Sequence, residues 1–327
     1  MGDKKLKMNK HFLQNIEINN FKCFDTFKAD GFKRINLIGG KNNVGKTAFM
    51  EACYINVYAM SISTLTTSLV DIKFMRENIN IIASDTIENN IAFIELSNDI
   101  HSKSNINETS FHINKDNGKK QYQLKFNKQS ININANDFTF EHTYMNHISF
   151  IDNFGFSNSD IVSRYAHIQE QNKEQFLNEK LNNFDSNIKS FKVINNKAVC
   201  EINDKYLELS ELGDGSRHLI SIIVSLYRSQ NGYLFIDEID NGIHYSMMSE
   251  IWELIFQLSR ELNVQIFATT HSKECIQSYA KTIQSTQEKD ITFIELGRDK
   301  KNNIQSITLD DEMFLSEIKQ NHEVRGW

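Results

Sequence analysis

The chain has 327 residues, of which 40% are hydrophobic and 24% charged, and its formal net charge is −6. These values are typical of a globular protein with one large or two smaller domains. They exclude a polycation built to coat nucleic acid, although a local basic face stays open as an alternative.

The cysteines and the apolar runs indicate where the protein works. The four cysteines form no C-x-x-C pair, which argues against zinc and against a disulfide framework and fits a reducing environment. No apolar run reaches the roughly 18 residues of a membrane-spanning helix, and the N-terminus lacks the apolar segment of a secretory signal. We therefore expect a cytoplasmic protein without a membrane partner.

The N-terminal part predicts strands followed by a phosphate-binding loop. Short strands are predicted within residues 12–27 and at 35–38, the latter mostly apolar and therefore buried. Residues 40–47 read GKNNVGKT and fit G-x-x-x-x-G-K-S/T, the loop of P-loop nucleotidases. Apolar residues at helical spacing follow to about residue 60.

This strand–loop–helix order explains how the loop would hold phosphate. Free N–H groups meet at the N-terminus of a helix, and Gly40 and Gly45 let the backbone turn tightly around phosphate oxygens. Lys46 would reach the β- and γ-phosphates of ATP, and the Thr47 hydroxyl would ligate Mg²⁺. The neighbouring loop and helix residues would also line the nucleotide: Asn42, Asn43, Val44 and Ala48. The alternative is a glycine turn that happens to match the pattern.

The middle of the chain predicts a different architecture. Weak helical signals at 61–85 are followed by short alternating strands separated by polar turns, which indicate an antiparallel meander. These strands are expected at 91–96, 110–113, 122–126 and 131–133, with a further one at 147–151. A polar helical segment at 159–189 and strands at 191–194, 198–202 and 206–209 complete this part.

The C-terminal part returns to apolar strands that alternate with amphipathic helices, which is typical of a parallel sheet covered on both faces. Helices are predicted at 219–227, 247–262 and 311–320, and strands at 233–236, 264–268, 291–296 and 304–307. The predicted fold class is thus α/β, a mainly parallel sheet with flanking helices plus an antiparallel β subdomain and a helical insertion. The predicted division is 1–60 and 207–327 for the two halves of the core, with 61–206 between them.

Two carboxylates end the strand at 233–236. Asp237 would hold Mg²⁺ together with Thr47, because sites in open α/β sheets form at the carboxyl ends of strands. Glu238 is the candidate general base for the attacking water, with a pKa raised by its acidic neighbour and by exclusion of water. The alternative is a pair of acidic residues that merely cap the next helix.

Two further segments carry candidate phosphate contacts. Gly215 and Ser216 begin a helix and would form a γ-phosphate clamp that this chain supplies to the site of a neighbouring subunit, with Arg217 adding charge to the clamp. An ordinary surface arginine is an equally good interpretation of Arg217. His271 ends the strand at 264–268 and would bond the γ-phosphate or hold the water, unless it only caps the following turn.

Together these motifs resemble the ABC-type ATPase head of SMC, RecF and OLD-family proteins. The resemblance is strongest to OLD-like ATP-binding proteins of the AAA-15 or AAA-21 type, and it rests on the P-loop, the G-D-G-S-R segment, the strand ending in Asp237-Glu238, and T-T-H-S. It implies that 240–244 form the D-loop at a dimer interface and that His271 is the switch histidine. A departure from the transporter signature S-G-G-Q argues against a transporter ATPase.

The resemblance also implies a working hypothesis. Two subunits would sandwich two ATP·Mg²⁺, and the nucleotide state would control a separately encoded effector, such as a nuclease or toxin, in bacterial anti-phage defence. The 56 residues after His271 show no TOPRIM pattern, so we expect the chain to lack a nuclease of its own. The alternatives are a RecF-like repair ATPase that binds DNA, suggested by lysines at 119–128, and a slowly hydrolysing nucleotide-loaded scaffold.

Overall fold

The computed structural model describes residues 12–77, 99–116, 121–134, 145, 147–153 and 155–320. The strand predicted at 91–96 lies outside these residues. The described strands are β1 Asn15–Phe21, β2 Phe24–Asp30, β3 Ile35–Gly40, β4 Ile100–Ser104, β5 Glu108–Asp116, β6 Gln121–Phe126, β7 Gln129–Asn134, β8 Ile148–Ile151, β9 Ile188–Ile194, β10 Lys197–Ile202, β11 Lys205–Glu208, β12 Tyr233–Ile236, β13 Gln265–Thr269, β14 Ile291–Arg298 and β15 Ile304–Leu309. The described helices are α1 Lys46–Tyr58, α2 Ile62–Glu77, α3 Asn158–Glu170, α4 Glu174–Phe184, α5 Asp214–Arg228, α6 Met248–Glu261, α7 Lys273–Thr286 and α8 Asp311–Lys319.

The chain divides into two compact units, one of residues 1–34 with 51–144 and the other of 35–50 with 145–327. The first contains an antiparallel sheet in the order β2-β1-β4-β5-β6-β7. In β1, Ile16 and Ile18 are fully buried, whereas the intervening Glu17 is paired with Lys28 at 2.7 Å. This alternation is what a sheet with one covered face requires.

The second unit is built on a mainly parallel sheet in the order β15-β14-β3-β13-β12-β8. Only β15 is antiparallel to its neighbour among these strands. Every residue of β3, β12 and β13 is buried, so both faces of the central strands are covered. The rings of Phe150, Phe235 and Phe267 stack across neighbouring strands at centroid distances of 6.1 and 5.4 Å.

The helices of this unit contribute to one hydrophobic core with the sheet. In α5 nearly all side chains from Gly215 to Tyr227 are buried, and Trp252 of α6, Tyr279 of α7 and Phe314 of α8 pack in one aromatic cluster. A small sheet in the order β11-β10-β9 adds Phe191 and Cys200 to the core. This packing fixes the strand ends that carry the candidate site.

The structure confirms the predicted α/β class and departs from the predicted elements in several places. The strand predicted at 147–151 beside the antiparallel meander is β8, which instead pairs in parallel with β12. The helical segment predicted at 159–189 is divided into α3 and α4. The helix α7 is absent from the predicted elements, and β1 pairs with β4, which joins the N-terminal hairpin to the meander. The three-part domain division stays a prediction beside the two compact units. None of the helices in the described part of the chain combines the length and apolar character of a membrane span.

Candidate active site

The P-loop connects the end of β3 to the start of α1. Gly40 has φ +152°, Gly45 has φ +100° and Asn43 has φ +60°. A side chain on Gly40 would place its Cβ 2.7 Å from the Leu296 carbonyl oxygen and 2.8 Å from Cγ1 of Val44. Only glycine therefore fits at this position, whereas asparagine tolerates the left-handed conformation at 43.

Lys46 is the first residue of α1, directly after the loop, and is 8% exposed. Its Nζ donates hydrogen bonds to the carbonyl oxygens of Gly40 at 2.9 Å and Lys41 at 3.1 Å. Burial lowers the pKa of Lys46, and the nearby carboxylates of Glu238 and Asp237 partly oppose that effect. The ammonium group is therefore held over the loop with its donors already directed inward.

Thr47 and Asp237 meet although they lie 190 residues apart. The Thr47 hydroxyl is 3.2 and 3.0 Å from the two carboxylate oxygens of Asp237. The hydroxyl of Thr269 donates to Oδ1 of Asp237 at 2.5 Å. Parallel pairing of β13 with both β3 and β12 brings the three strand ends together, as expected for this type of sheet.

The oxygen atoms of Thr47 and Asp237 fit a magnesium ion. Hydroxyl and carboxylate oxygens are hard ligands, and Mg²⁺ is usually held by one or two such groups together with water and phosphate. Among the described residues no group of three or more His, Cys, Asp or Glu side chains forms a metal cage. Thr47 and Asp237 would hold the ion together with water and the phosphates of a nucleotide.

Glu238 and His271 lie side by side next to Asp237. Nδ1 of His271 is 3.4 Å from Oε1 of Glu238. Glu238 has φ +47°, a strained conformation for this residue type, and its N–H donates to the Thr269 hydroxyl at 2.8 Å. The Glu238 side chain is 37% exposed, so the single chain does not supply the water-excluded setting expected from the sequence.

The segment after Glu238 is tied to the end of β13. The Thr270 hydroxyl donates to Oδ1 of Asp240 at 2.7 Å, and the Thr270 N–H donates to the Ile38 carbonyl at 3.0 Å. Ser272 then caps α7 by accepting from the N–H of Cys275 at 3.1 Å. These bonds fix the backbone on both sides of His271.

The predicted γ-phosphate segment begins α5, with Gly213 as its N-cap residue. A Cβ on Gly215 would lie 2.5 Å from the Gly242 carbonyl oxygen, so the start of α5 packs directly on residues 240–244. Ser216 is 7% exposed, and Nε of Arg217 is buried without a hydrogen-bond partner within the described part of the chain. The contact of these residues with nucleotide stays a prediction.

His218 follows Arg217 in α5 and is 3% exposed. Burial lowers the pKa of His218 to about 4, although the nearby Asp240 acts in the opposite direction. The ring is therefore neutral near pH 7.

Several site residues are missing from the sequence-based prediction. Thr269 contacts Asp237 and Glu238, Thr270 contacts Asp240, and Arg298 contacts the P-loop at Asn43. A signal existed for the threonines, because they are the first polar residues after the apolar run in β13. Nothing in the sequence indicated Arg298, because its position depends on the pairing of β14 with β3.

The fold and the P-loop define a class, the P-loop NTPases with an ABC-type head. The chain is similar to a solved SMC head bound to the C-winged helix domain of ScpA, with a TM-score of 0.50 and 12% identity over 94% of this chain and 99% of that one. An SMC head with an extended coiled coil, bound to the C-terminal domain of ScpA from Pyrococcus furiosus, gives a TM-score of 0.49 and 10% identity over 95% and 99% of the two chains. The first likeness supports the fold alone.

The family follows from a match to the sequence. The model described as "AAA domain, putative AbiEii toxin, Type IV TA system" matches residues 35–276, and the chain belongs to this family. A Helicobacter pylori (strain ATCC 700392 / 26695) protein named ATP/GTP phosphatase is 27% identical, over 83% of this chain and 88% of that protein. The predicted class of P-loop ATPase is confirmed, and the OLD-like detail stays a prediction.

Proposed function

We propose that this chain is an Mg²⁺-dependent ATPase. The observation that carries the proposal is the contact of Thr47 with Asp237, at 3.0 and 3.2 Å, beside the adjacent Glu238 and His271. It joins the phosphate loop to the acidic strand end in the arrangement that phosphoryl transfer to water requires. The name of the Helicobacter pylori relative, ATP/GTP phosphatase, agrees with this chemistry.

Nucleotide binding would use the loop and Lys46. The loop N–H groups and the N-terminus of α1 attract phosphate, and Gly40 and Gly45 allow close approach. Nζ of Lys46 would exchange its bonds to two loop carbonyls, at 2.9 and 3.1 Å, for phosphate oxygens. When bound, Mg²⁺ held by Thr47 and Asp237 would neutralise charge on the β- and γ-phosphates.

Hydrolysis would use the pair of Glu238 and His271. A water molecule attacks the γ-phosphorus, its proton passes to the Glu238 carboxylate, and the bond to the β–γ bridging oxygen breaks so that ADP leaves with that electron pair. His271 would orient the water or bond the γ-phosphate, and its position 3.4 Å from Glu238 supports a shared role. The Thr269 hydroxyl would hold both carboxylate residues in place.

A second copy of the chain would complete each site. Glu238 is partly exposed, and a second subunit that covers it would exclude bulk water from the reacting groups. The start of α5, with Gly215, Ser216 and Arg217, offers N–H groups and a cation that suit a γ-phosphate. Its packing on Gly242 keeps this segment and the D-loop on one surface, which supports a sandwich of two subunits.

The biological role we propose is the control of a separately encoded effector in anti-phage defence. The family description, which names a putative AbiEii toxin and a Type IV TA system, supports a defence setting.

The RecF-like alternative predicts ATP-dependent DNA binding that weakens steeply with salt. Of its lysine cluster, Lys125 and Lys128 are exposed, and residues 119–120 lie outside the described residues. The second alternative, a scaffold with slow ATP hydrolysis, predicts a rate of ATP turnover that neither a partner protein nor DNA increases.

The Glu238→Gln variant tests the catalytic proposal. We expect hydrolysis to fall by about a hundredfold or more, because a general base contributes that much, while ATP still binds. Turnover and equilibrium binding of ATP measure the two effects. Glu250→Gln is the matched control, since Glu250 is an exposed residue of α6. Wild-type turnover in the Glu238→Gln variant would refute the assignment of the base, and absence of ATP binding by the wild-type chain would refute the proposed function.

A further inference from the structure

The end of β14 lies directly against the start of the P-loop. These neighbouring parallel strands pair Glu295 with Gly39 and Leu296 with Gly40. The carbonyl of Leu296 comes so close to Gly40 that a Cβ there would be 2.7 Å from the carbonyl oxygen. Residues that follow Leu296 are therefore beside the phosphate loop.

The hairpin between β14 and β15 holds one arginine in a fixed position. The carboxylate Oδ1 of Asp299 accepts hydrogen bonds from the N–H groups of Lys301 and Asn303, each at 2.8 Å, which closes the turn. Nη1 of Arg298 donates to the carbonyl of Asn302 at 2.9 Å. The guanidinium plane is thus oriented by the same turn, before any ligand binds.

The other end of this guanidinium reaches the P-loop. Nη2 of Arg298 lies 3.4 Å from the carbonyl oxygen of Asn43, a long but charge-assisted hydrogen bond. Asn43 is the loop residue with φ +60°, and Val44 follows it. In a planar trans peptide the C=O and the next N–H point in opposite directions, so a carbonyl held by Arg298 directs the Val44 N–H away from the arginine.

We propose that Arg298 is a positioning residue that fixes the peptide between Asn43 and Val44 so that its N–H faces the phosphates of bound nucleotide. The inference rests on the proposed function and adds a contact from outside the loop to it. Backbone N–H groups supply much of the phosphate binding of a P-loop, and their orientation depends on single peptide planes. A loop ordered before binding loses less entropy when the nucleotide arrives.

Replacement of Arg298 by alanine separates affinity from chemistry. We expect Arg298→Ala to raise the Kd and the KM for ATP about fivefold and to leave kcat within about twofold. A fivefold change corresponds to loss of one hydrogen bond of ordinary strength, as expected for a bond that is charge-assisted but long and exposed. Arg298→Lys should recover part of the affinity, since lysine can still donate to one carbonyl but cannot bridge two with a rigid plane. Binding of ATP and ADP, steady-state kinetics and the melting temperature provide the measurements.

The matched control is Lys301→Ala, which removes the same charge from an exposed position of the same turn. We expect it to leave the Kd within about twofold of the wild type, because the contact and not the overall charge of the hairpin orients the loop. Equal weakening by Lys301→Ala and Arg298→Ala would overturn the proposal. So would an Arg298→Ala variant with a wild-type Kd, or one with a lower kcat at unchanged KM. If the wild-type chain bound no ATP, the proposed function itself would fail, which is a different outcome.

Discussion

Thr269 uses one hydroxyl to hold both acidic residues of the candidate site. It donates to Asp237 at 2.5 Å and accepts from the N–H of Glu238 at 2.8 Å. The second bond stabilises the left-handed backbone of Glu238, which costs about 1–2 kcal/mol for a residue with a side chain. Thr269 thereby couples the orientation of Asp237, the proposed magnesium ligand, to the position of Glu238, the proposed general base.

Thr269→Val keeps the shape of the side chain and removes both bonds. We expect kcat to fall about tenfold or more, because each buried hydrogen bond contributes about 1 kcal/mol and the carboxylates lose their common support. Turnover measured across a magnesium titration should also show a higher magnesium requirement. Thr269→Ser retains the hydroxyl and should stay within about threefold of the wild type; equal activity of the valine and serine variants would contradict this role.

His218 makes folding stability depend on pH. Burial lowers its pKa from 6.5 to about 4, so between these values the unfolded chain binds a proton that the folded chain does not. The contribution of neutral His218 to the free energy of unfolding is fully present above pH 6.5. This contribution decreases by up to about 3 kcal/mol as the pH falls toward 4. Urea unfolding of the His218→Gln variant should therefore lose less stability over this range than that of the wild type. His147→Gln, at an exposed position, is the control, and parallel pH profiles of wild type and His218→Gln would refute the prediction.

Elements of the site differ in how far the sequence predicts them. The sequence predicts the strand–loop–helix order around Lys46 and the apolar strand before Asp237, because both patterns are local. The helix α7 also had a local signal, with Cys275, Ile276, Tyr279, Ala280 and Ile283 on one buried face. The hydrogen-bond partners of Thr269 and Arg298 cannot be predicted from the sequence. Hydrophobic periodicity indicates which face of a strand is buried, but it does not indicate which strands become neighbours.

The α7 helix supports His271 through its N-cap, which is the next residue. Ser272 accepts a hydrogen bond from the Cys275 N–H at 3.1 Å. We expect Ser272→Ala to lower the free energy of unfolding by about 1 kcal/mol and to reduce kcat, because the cap fixes the turn that carries His271. Ser272→Asp preserves the cap and should keep most of the stability. Chemical denaturation and turnover test this, and a stable but inactive aspartate variant would point to a role other than capping.

At the scale of the whole molecule, strand order decides which distant segments meet. The N-terminal hairpin of β1 and β2 directly precedes the P-loop strand β3 in sequence. Nevertheless β1 pairs with β4, and these strands belong to the first compact unit, whereas β3 belongs to the second. The sequence pattern predicts strands in this segment but does not indicate which of the two large sheets they join, since a strand of alternating polarity fits the edge of either one. The predicted three-part division therefore relied on chain order, whereas the compact units follow pairing.

A mixture of two inactive chains tests whether the site is shared between subunits. Lys46→Ala disables the P-loop, and Arg217→Glu places a carboxylate where the other subunit's γ-phosphate is expected. In an equal mixture about half of the symmetric dimers contain one chain of each variant, and each of these mixed dimers retains one intact site of two. The mixture should therefore recover about a quarter of wild-type turnover. Activity no higher than the sum of the separate variants would argue against a composite site, and an active Arg217→Glu chain would remove Arg217 from it.

The contact of Thr47, Asp237 and Thr269 has a consequence for biosynthesis. The first two residues are 190 positions apart, and Thr269 lies later still, so the ribosome releases the P-loop long before its partners exist. Long-range strand pairing is slow to form, and the P-loop strand β3 has no partner in its sheet until β13 has emerged, because its neighbours are β13 and β14. A nascent or truncated chain would therefore carry a complete P-loop sequence without a working nucleotide site. Tight binding of ATP would then indicate that synthesis has passed β13 and that the parallel sheet has formed.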